Sequence, residues 1–133
     1  HFVSAMIRKI VEAPEGGEVT FWGTGKPWRQ QLFVDDLCRA IPDLLQSHST
    51  DQPLIVAPDE NLSIEEMIRT FISMIGKDVN VKFNGKLDGQ FRKDGSNSAF
   101  KALLPDFRFT SFDEGLNKTY EWYTKENSGN NWS

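Results

Sequence analysis

The stretch 21-FWGTGKPWRQQLFVDDL-37 places a glycine-rich turn between two apolar, aromatic runs. Trp22 precedes the turn, and Lys26, Trp28 and Arg29 follow it. One interpretation is structural: the glycines turn a β-hairpin, and both indoles belong to the core. The other is functional, because a guanidinium fork suits phosphate oxygens and an indole offers a flat face to a base or a sugar. A dinucleotide fingerprint is rejected, since no third glycine opens a helix after this turn.

Composition around this stretch is that of one ordinary globular domain. The chain has 133 residues, of which 38% are hydrophobic and 26% charged, which is enough to build a core. A net charge of −4 argues against a general nucleic-acid binder. The single cysteine, Cys38, excludes an internal disulfide framework and fits a reducing compartment, which we take to be the cytoplasm. Because a helical pattern is already under way at His1, we expect the chain to be a piece of something larger.

Upstream and downstream of the turn, apolar spacing predicts short strands between helices. We expect a helix over 1–13, strands over 18–22 and 30–34, and a buried strand over 54–57 between two prolines. A further helix should begin at Asp35 or Asp36, acting as its N-cap, and should kink or restart at Pro42. Cys38 would then be packed inside the protein.

The second half has clearer boundaries. Ser63 and Glu66 form a capping-box pattern that opens a helix, and Gly76 stands where its C-cap is expected. Alternation predicts a strand over 79–83, followed by a polar loop to residue 95 and a helix over 97–104. Ser111 and Glu114 repeat the capping-box pattern before a last helix, and the tail over 128–133 is expected to fray. The fold class is α/β, with a small mixed sheet and several helices, or with strands that complete a larger sheet elsewhere.

A second polar cluster, 86-KLDGQFRKDG-95, has two interpretations as well. Its charges are typical of a solvated loop. Alternatively, Arg92 and Lys93 could meet the phosphates that Arg29 meets, while Asp88 accepts hydrogen bonds from ribose hydroxyls or a base edge. Spacing alone cannot decide whether these distant segments converge.

The remaining candidates for chemistry are weak. His48 follows a helix among hydroxyl residues and is interpreted as a surface residue, and a terminal His1 would ordinarily be dismissed too. Asp35 and Asp36 are adjacent, so they do not face each other on a helix. No spacing of His, Cys and acidic residues suits a metal ion.

Three segments resemble the GDP-L-fucose synthase family of extended short-chain dehydrogenase/reductases. These are WGTGKPWRQQLFVDDL at 22–37, the run from DGQFRKDGSNS through LPDFRF within 88–109, which is similar to eukaryotic forms, and HFVSAMIRKI at 1–10. The resemblance covers nearly the whole chain but only the carboxy-terminal, substrate-binding part of the family. It implies that residues 1–127 bind a GDP-sugar and that the Rossmann half is absent.

The family is a two-domain enzyme. Its N-terminal Rossmann domain binds NADP(H), and the whole enzyme epimerises GDP-4-keto-6-deoxy-D-mannose at two carbons and reduces it to GDP-L-fucose. The resemblance therefore implies a GDP-sugar substrate, a homodimeric parent, the missing Rossmann domain as partner, and no activity for this chain alone. The Tyr-x-x-x-Lys element of the reduction is not present, and Cys38 does not match the family's epimerisation cysteine.

Site residues carry over by position. His1 aligns with the family's epimerisation acid, which also lies near the cofactor, and would donate a proton to the sugar carbon. The substrate-binding positions on the GDP, its phosphates and the sugar correspond to Lys9, Trp22, Arg29, Asp88, Arg92 and Lys93. The chain departs from the family pattern without losing a charged ligand, and the departures are Phe2, Ser4, Trp28, Gln30, Gln31 and Leu32.

Two other functions stay open. The chain could be the substrate domain of another nucleotide-sugar epimerase or reductase of the same superfamily. It could also be a non-catalytic carbohydrate-binding or interaction module that has kept the fold, in which case it has no affinity for GDP.

Overall fold

Helices and short strands alternate in the computed structural model, which describes residues 1–47 and 51–129. The α/β class is confirmed. The elements are α1 Phe2–Glu12, β1 Gly17–Phe21, β2 Trp28–Arg29, α2 Val34–Ser47, β3 Leu62–Ser63, α3 Ile64–Ile75, β4 Val79–Phe83, β5 Arg92–Lys93, α4 Ser98–Leu103 and α5 Phe112–Gly129.

The strands of the described residues form two small sheets. Strands β1 and β4 pair in parallel, from Gly17 opposite Val79 to Phe21 opposite Phe83. Strand β2 lies between β3, which is antiparallel to it, and β5, which is parallel. Because β1 and β2 lie in different sheets, the glycine turn joins two sheets, and the predicted hairpin is wrong.

The core lies between α1, α3, α5 and the β1–β4 pair. Apolar residues at helical spacing on α1 and α3 face β1, where alternate residues are buried. Fully burying one such side chain contributes about 1.5–3 kcal/mol, so this layer holds the glycine turn in place. Its buried members are Met6, Ile7, Ile10, Val19, Phe21, Met67, Ile68, Phe71, Phe112 and Leu116.

Helix α3 has the ends that its sequence predicts. Ser63 Oγ accepts a hydrogen bond from the Glu66 amide at 3.2 Å, and Glu66 Oε2 accepts from the Ser63 amide at 2.7 Å. Gly76 closes the helix in the left-handed region, with φ of +63°. Both the capping box and the glycine C-cap are confirmed.

At the start of α5 the second capping box is only half formed. Ser111 Oγ accepts from the Glu114 amide at 3.3 Å, as expected. The Glu114 carboxylate pairs with Lys118 instead of returning to the cap. The Phe112 amide donates to Glu60 Oε2 at 2.7 Å, so a residue outside the helix satisfies this amide.

Asp36 ties α2 to the segment before α5 and is not an N-cap. Its side chain is 1% exposed. Oδ1 accepts from Arg39 and from Thr110 Oγ1, both at 2.7 Å, and Oδ2 accepts from the Thr110 amide at 2.7 Å. Burial raises the pKa of this carboxyl, but the hydrogen bonds from Thr110 and Arg39 more than offset burial and hold the pKa below its ordinary value. Helix α2 begins at Val34, so Asp35 and Asp36 both lie inside its first turn. The prediction that either aspartate caps the helix is therefore wrong.

Two strand predictions are wrong. Residues 30–33 are irregular, and α2 already begins at Val34. The segment is held by the Gln30 side chain, which bonds Pro58 O and the Gly95 amide at 2.8 Å each, and not by the backbone hydrogen bonds of a strand pair. The segment 54–57 pairs with no strand among the residues that the structure describes. A strand needs a neighbour, and the described chain supplies none there.

Helix α2 also differs from expectation. It runs through Pro42 without a break. Both Pro42 and Cys38, whose carbonyl loses its helical partner at the proline, are exposed residues. Cys38 is exposed, so the expectation of a buried cysteine is wrong. The loop after β4 contains β5, which was not predicted.

Some expectations concern residues that the structure does not describe. His48 and residues 130–133 lie outside the described residues, and α5 continues to Gly129. Within 1–47 and 51–129, no helix is both long and apolar enough to cross a membrane.

Candidate functional site

A cleft of about 260 Å³ lies where the end of β1, the glycine turn and the start of α3 face α1. We call it the α1–β1 cleft. It brings together four of the residues predicted to bind substrate, namely Lys9, Trp22, Arg29 and Asp88. Its full lining is Phe2, Ala5, Met6, Lys9, Phe21, Trp22, Gly25, Pro27, Arg29, Ile64, Asp88 and Gly89.

Two cations belong to the lining of the cleft. Lys9 Nζ donates to Thr20 O at 3.0 Å and lies 5.4 Å from the centre of the Phe21 ring. Arg29 is half-buried in β2, and Nη1 donates to Trp28 O at 2.6 Å. A guanidinium has five N–H donors, and this bond uses one of them. The pair can therefore offer positive charge and hydrogen bonds to an anion in the cleft.

Trp22 is a surface platform. Its side chain is 64% exposed, so the interpretation of this indole as a core residue is wrong. Nε1 donates to Leu87 O at 3.2 Å, which sets the orientation of the ring. Lys86 Nζ lies 4.7 Å from the ring centre, and Lys86 does not line the cleft that Trp22 lines. A flat aromatic face held in this way suits stacking of a base or sugar.

Asp88 is bound to the glycine turn. Oδ1 accepts from the Thr24 amide at 2.8 Å and Oδ2 accepts from Thr24 Oγ1 at 2.5 Å. These bonds, with the positive charges of Lys26 and Arg29, hold the pKa of Asp88 below its ordinary value. The carboxylate is therefore ionised at neutral pH, and each of its oxygens already has a donor.

The other three predicted residues lie outside the α1–β1 cleft. His1 is exposed at the N-cap of α1. Arg92 is exposed and Nε donates to both oxygens of Asp94, which raises the pKa of the guanidinium. Lys93 lines a separate hollow of about 280 Å³ beside Gln30. Their roles toward a ligand stay predictions.

Sequence reasoning missed three residues that shape the cleft: Thr24, Asn84 and Lys86. Thr24 bonds Asp88, Asn84 Oδ1 accepts from the Gly23 amide at 2.9 Å, and Lys86 covers Trp22. Their partners lie about sixty residues away along the chain, so no local periodicity reports them. The one signal in the sequence was the position of Thr24, whose hydroxyl lies between Gly23 and Gly25.

The glycine turn does not form a dinucleotide site. It leads into β2 and not into a helix. The helix amides that meet it, those of Ile64 and Glu65 at the start of α3, already donate to Pro27 O and Gly25 O at 3.0 and 2.9 Å, so they are not open to a pyrophosphate. A Cβ on Gly25 would lie 2.5 Å from the Phe83 ring, which means that the glycine packs against the protein itself. Within the described parts of the chain, no group of three or more His, Cys, Asp or Glu side chains could hold a metal ion.

Comparisons with known proteins agree with this architecture. The sequence profile of the NAD dependent epimerase/dehydratase family matches residues 1–57. GDP-L-fucose synthase 1 of Arabidopsis thaliana is 34% identical over 136 residues, covering 94% of this chain and 39% of that protein. The probable GDP-L-fucose synthase of Drosophila melanogaster is 30% identical over 127 residues, covering 89% of this chain and 38% of that protein.

Among solved structures, a GDP-L-fucose synthetase from Naegleria fowleri bound to NADP superposes with a TM-score of 0.88 at 26% identity. It covers 96% of this chain and 40% of the Naegleria chain. The chain thus spans about two fifths of the length of the relatives that it matches. It belongs to the extended short-chain dehydrogenase/reductase family of NAD dependent epimerases and dehydratases, within which it matches the carboxy-terminal part of the GDP-L-fucose synthases.

Proposed function

We propose that residues 1–127 are the GDP-sugar-binding part of a GDP-L-fucose synthase, the enzyme that epimerises GDP-4-keto-6-deoxy-D-mannose and reduces it with NADPH. The observation that supports this proposal is the α1–β1 cleft, in which Lys9, Trp22 and Arg29 share one hollow. The names of the relatives point to the same ligand class. By itself the chain is expected to be inactive.

Within this proposal each side chain has a distinct task. Arg29 binds the diphosphate, since its fork matches phosphate oxygens, and Lys9 adds a second positive charge at the rim. Trp22 stacks on the base or ribose. His1 is proposed as the proton donor to the sugar carbon, and Arg92 and Lys93 as contacts made once the substrate is bound. NADPH would supply the hydride, and the described residues do not fit a dinucleotide.

An N-terminal Rossmann domain is the proposed partner of helix α2. Three apolar side chains on one side of this helix, Val34, Ile41 and Leu45, are 63%, 44% and 80% exposed. The segment 54–57 has a strand-like sequence without a strand partner in the described chain. A sheet of the Rossmann domain, which would lie in the remaining three fifths of the relatives' length, would cover both features. The parent is further proposed to be a cytoplasmic homodimer.

Calorimetric titration of GDP into the protein tests the proposal. We expect Arg29→Ala to weaken GDP binding by about tenfold to a hundredfold, because a hydrogen bond to a charged group contributes about 1.5–3 kcal/mol. Arg69→Ala is the matched control, since Arg69 is an exposed arginine paired with Glu65 on α3. Equal GDP affinities of the Arg29→Ala and Arg69→Ala proteins would refute the assignment of the cleft.

Titration with UDP separates the enzyme families. A GDP-L-fucose synthase should bind GDP more tightly than UDP, whereas tighter binding of UDP would favour another nucleotide-sugar epimerase or reductase. Absence of binding to both nucleotides would favour a non-catalytic module. Light scattering on the same samples tests the exposed apolar side of α2, which we expect to cause self-association when it is uncovered.

A further inference from the structure

Residues 84–89, between β4 and β5, run back along the glycine turn, and we call them the strap. The Gly23 amide donates to Asn84 Oδ1 at 2.9 Å, and the Gly85 amide donates to Gly23 O at 2.9 Å. A side chain at Gly23 would collide with the Asp88 carboxylate, and Gly23 has a φ of +82°. Only glycine allows the strap to approach the turn this closely.

The far end of the strap is bound to Thr24 through Asp88. Thr24 donates to both oxygens of Asp88, from its amide and from its hydroxyl. The residue before Asp88, Leu87, is 92% exposed and makes its contribution through its carbonyl, which accepts from Trp22 Nε1. Lys86 in the same strap covers the Trp22 ring. The orientation of Trp22 therefore depends on where the strap lies.

We propose that Thr24 and Asp88 are a positioning pair, which fixes the strap so that Leu87 O and Lys86 hold the Trp22 ring at the edge of the α1–β1 cleft. The consequence for nucleotide binding rests on the function proposed above. Asp88 then acts on the ligand through Trp22, in contrast to an aspartate that accepts hydrogen bonds from the ligand itself. The difference matters because each oxygen of this carboxylate already accepts one hydrogen bond from Thr24, which leaves fewer lone pairs for a ligand.

The two roles of Asp88 predict opposite effects for a change at Thr24. Thr24→Val keeps the shape of the side chain and the backbone amide, but removes the hydroxyl donor. If Asp88 contacts the ligand directly, this change frees an acceptor oxygen, and GDP affinity stays or rises. If the pair positions Trp22, GDP affinity falls by about threefold to tenfold, which is the loss expected for one hydrogen bond.

A double-mutant cycle sharpens the test. Thr24→Val removes the hydroxyl bond alone and Asp88→Ala removes both bonds of the pair, so the double variant should lose no more GDP affinity than Asp88→Ala. Thr24→Ser restores the hydroxyl and should restore affinity. Thr70→Val, on helix α3, is the matched control and should bind GDP like the unchanged protein. Additive losses, or a Thr24→Val protein with undiminished affinity, would overturn the positioning role.

Measurements without nucleotide judge the pair independently of the proposed function. In Thr24→Val, amide hydrogen exchange across 84–89 should become faster, and acrylamide should quench Trp22 more strongly. The Trp22 signal is isolated as the difference from a Trp22→Phe protein, with and without the Thr24 change. Unchanged exchange and quenching would refute the pair. Failure of the unchanged protein to bind GDP would remove the proposed function, and exchange and quenching would then decide the positioning role of Thr24 and Asp88.

Discussion

Asp36 offers a sharp test of how the two halves of the chain are joined, and the perturbation is Asp36→Asn. The amide keeps one acceptor oxygen but turns an N–H₂ toward a side where Thr110 or Arg39 donates. At least one hydrogen bond to a charged acceptor is lost, at about 1.5–3 kcal/mol, and a donor is left unsatisfied at about 1–3 kcal/mol. The Arg39 side chain is 54% exposed and regains water, so we expect a total of about 2–4 kcal/mol.

Urea denaturation followed by circular dichroism at pH 7 measures this loss in the free energy of unfolding. Asp35→Asn is the matched control, because Asp35 is an exposed aspartate in the same helical turn. We expect the control to stay within about 0.5 kcal/mol of the unchanged protein. A loss for Asp36→Asn no larger than that of its control would refute the inference that the carboxylate joins α2 to the segment before α5.

The same variant has a defined pH dependence. Because the pKa of Asp36 is lowered in the folded protein, its carboxylate stabilises the fold above the ordinary pKa near 3.8, and this stabilisation is lost as pH falls through the lowered value. The stability difference between the unchanged and Asp36→Asn proteins should therefore be constant at neutral pH and shrink below about pH 4. A difference that grows in acid would contradict the sign of the shift.

Three further changes test the scaffold by the same denaturation assay. Gly25→Ala should destabilise the protein by about 1–3 kcal/mol, because Gly25 has a φ of +79° and the new Cβ would meet the Phe83 ring. Its control is Gly89→Ala, whose Cβ would meet nothing within 4 Å, and which should cost less than about 1 kcal/mol. Phe71→Ala should cost about 3–5 kcal/mol, since its side chain is fully buried; a loss below 1 kcal/mol would contradict the assigned core. Ser63→Ala should cost about 1 kcal/mol through the lost cap, and no change would mean that the capping box does not stabilise α3.

Elements defined by nearby residues could be predicted from the sequence. Helix α3 is the clearest case, because its capping box and glycine C-cap act within one turn of each end. Strand β4 was likewise predicted from alternation and confirmed, with alternate residues half-buried. The family resemblance, which rests on local motifs, is confirmed by the comparisons.

Elements that depend on distant partners could not be predicted. The segment 30–34 reads as a strand, but the Gln30 side chain bonds backbone groups that lie 28 and 65 residues away. The segment 54–57 also reads as a strand, yet pairing is a property of a neighbour, and the described chain has none for it. Cys38 follows an apolar pattern on α2, yet no other element among the described residues covers it, and it is exposed.

The sequence by itself determined the turn chemistry, the ends of α3 and the types of side chain available to a phosphate or a base. Tertiary structure alone decided which of them meet: Trp22 and Arg29 line one cleft with Asp88, while Lys93 lies in another hollow and Arg92 pairs with Asp94. The physical reason is that a hydrogen bond such as Thr24 to Asp88 joins residues 64 positions apart. Local conformational preference extends over a few residues, whereas such contacts form only when the core has brought the strands together.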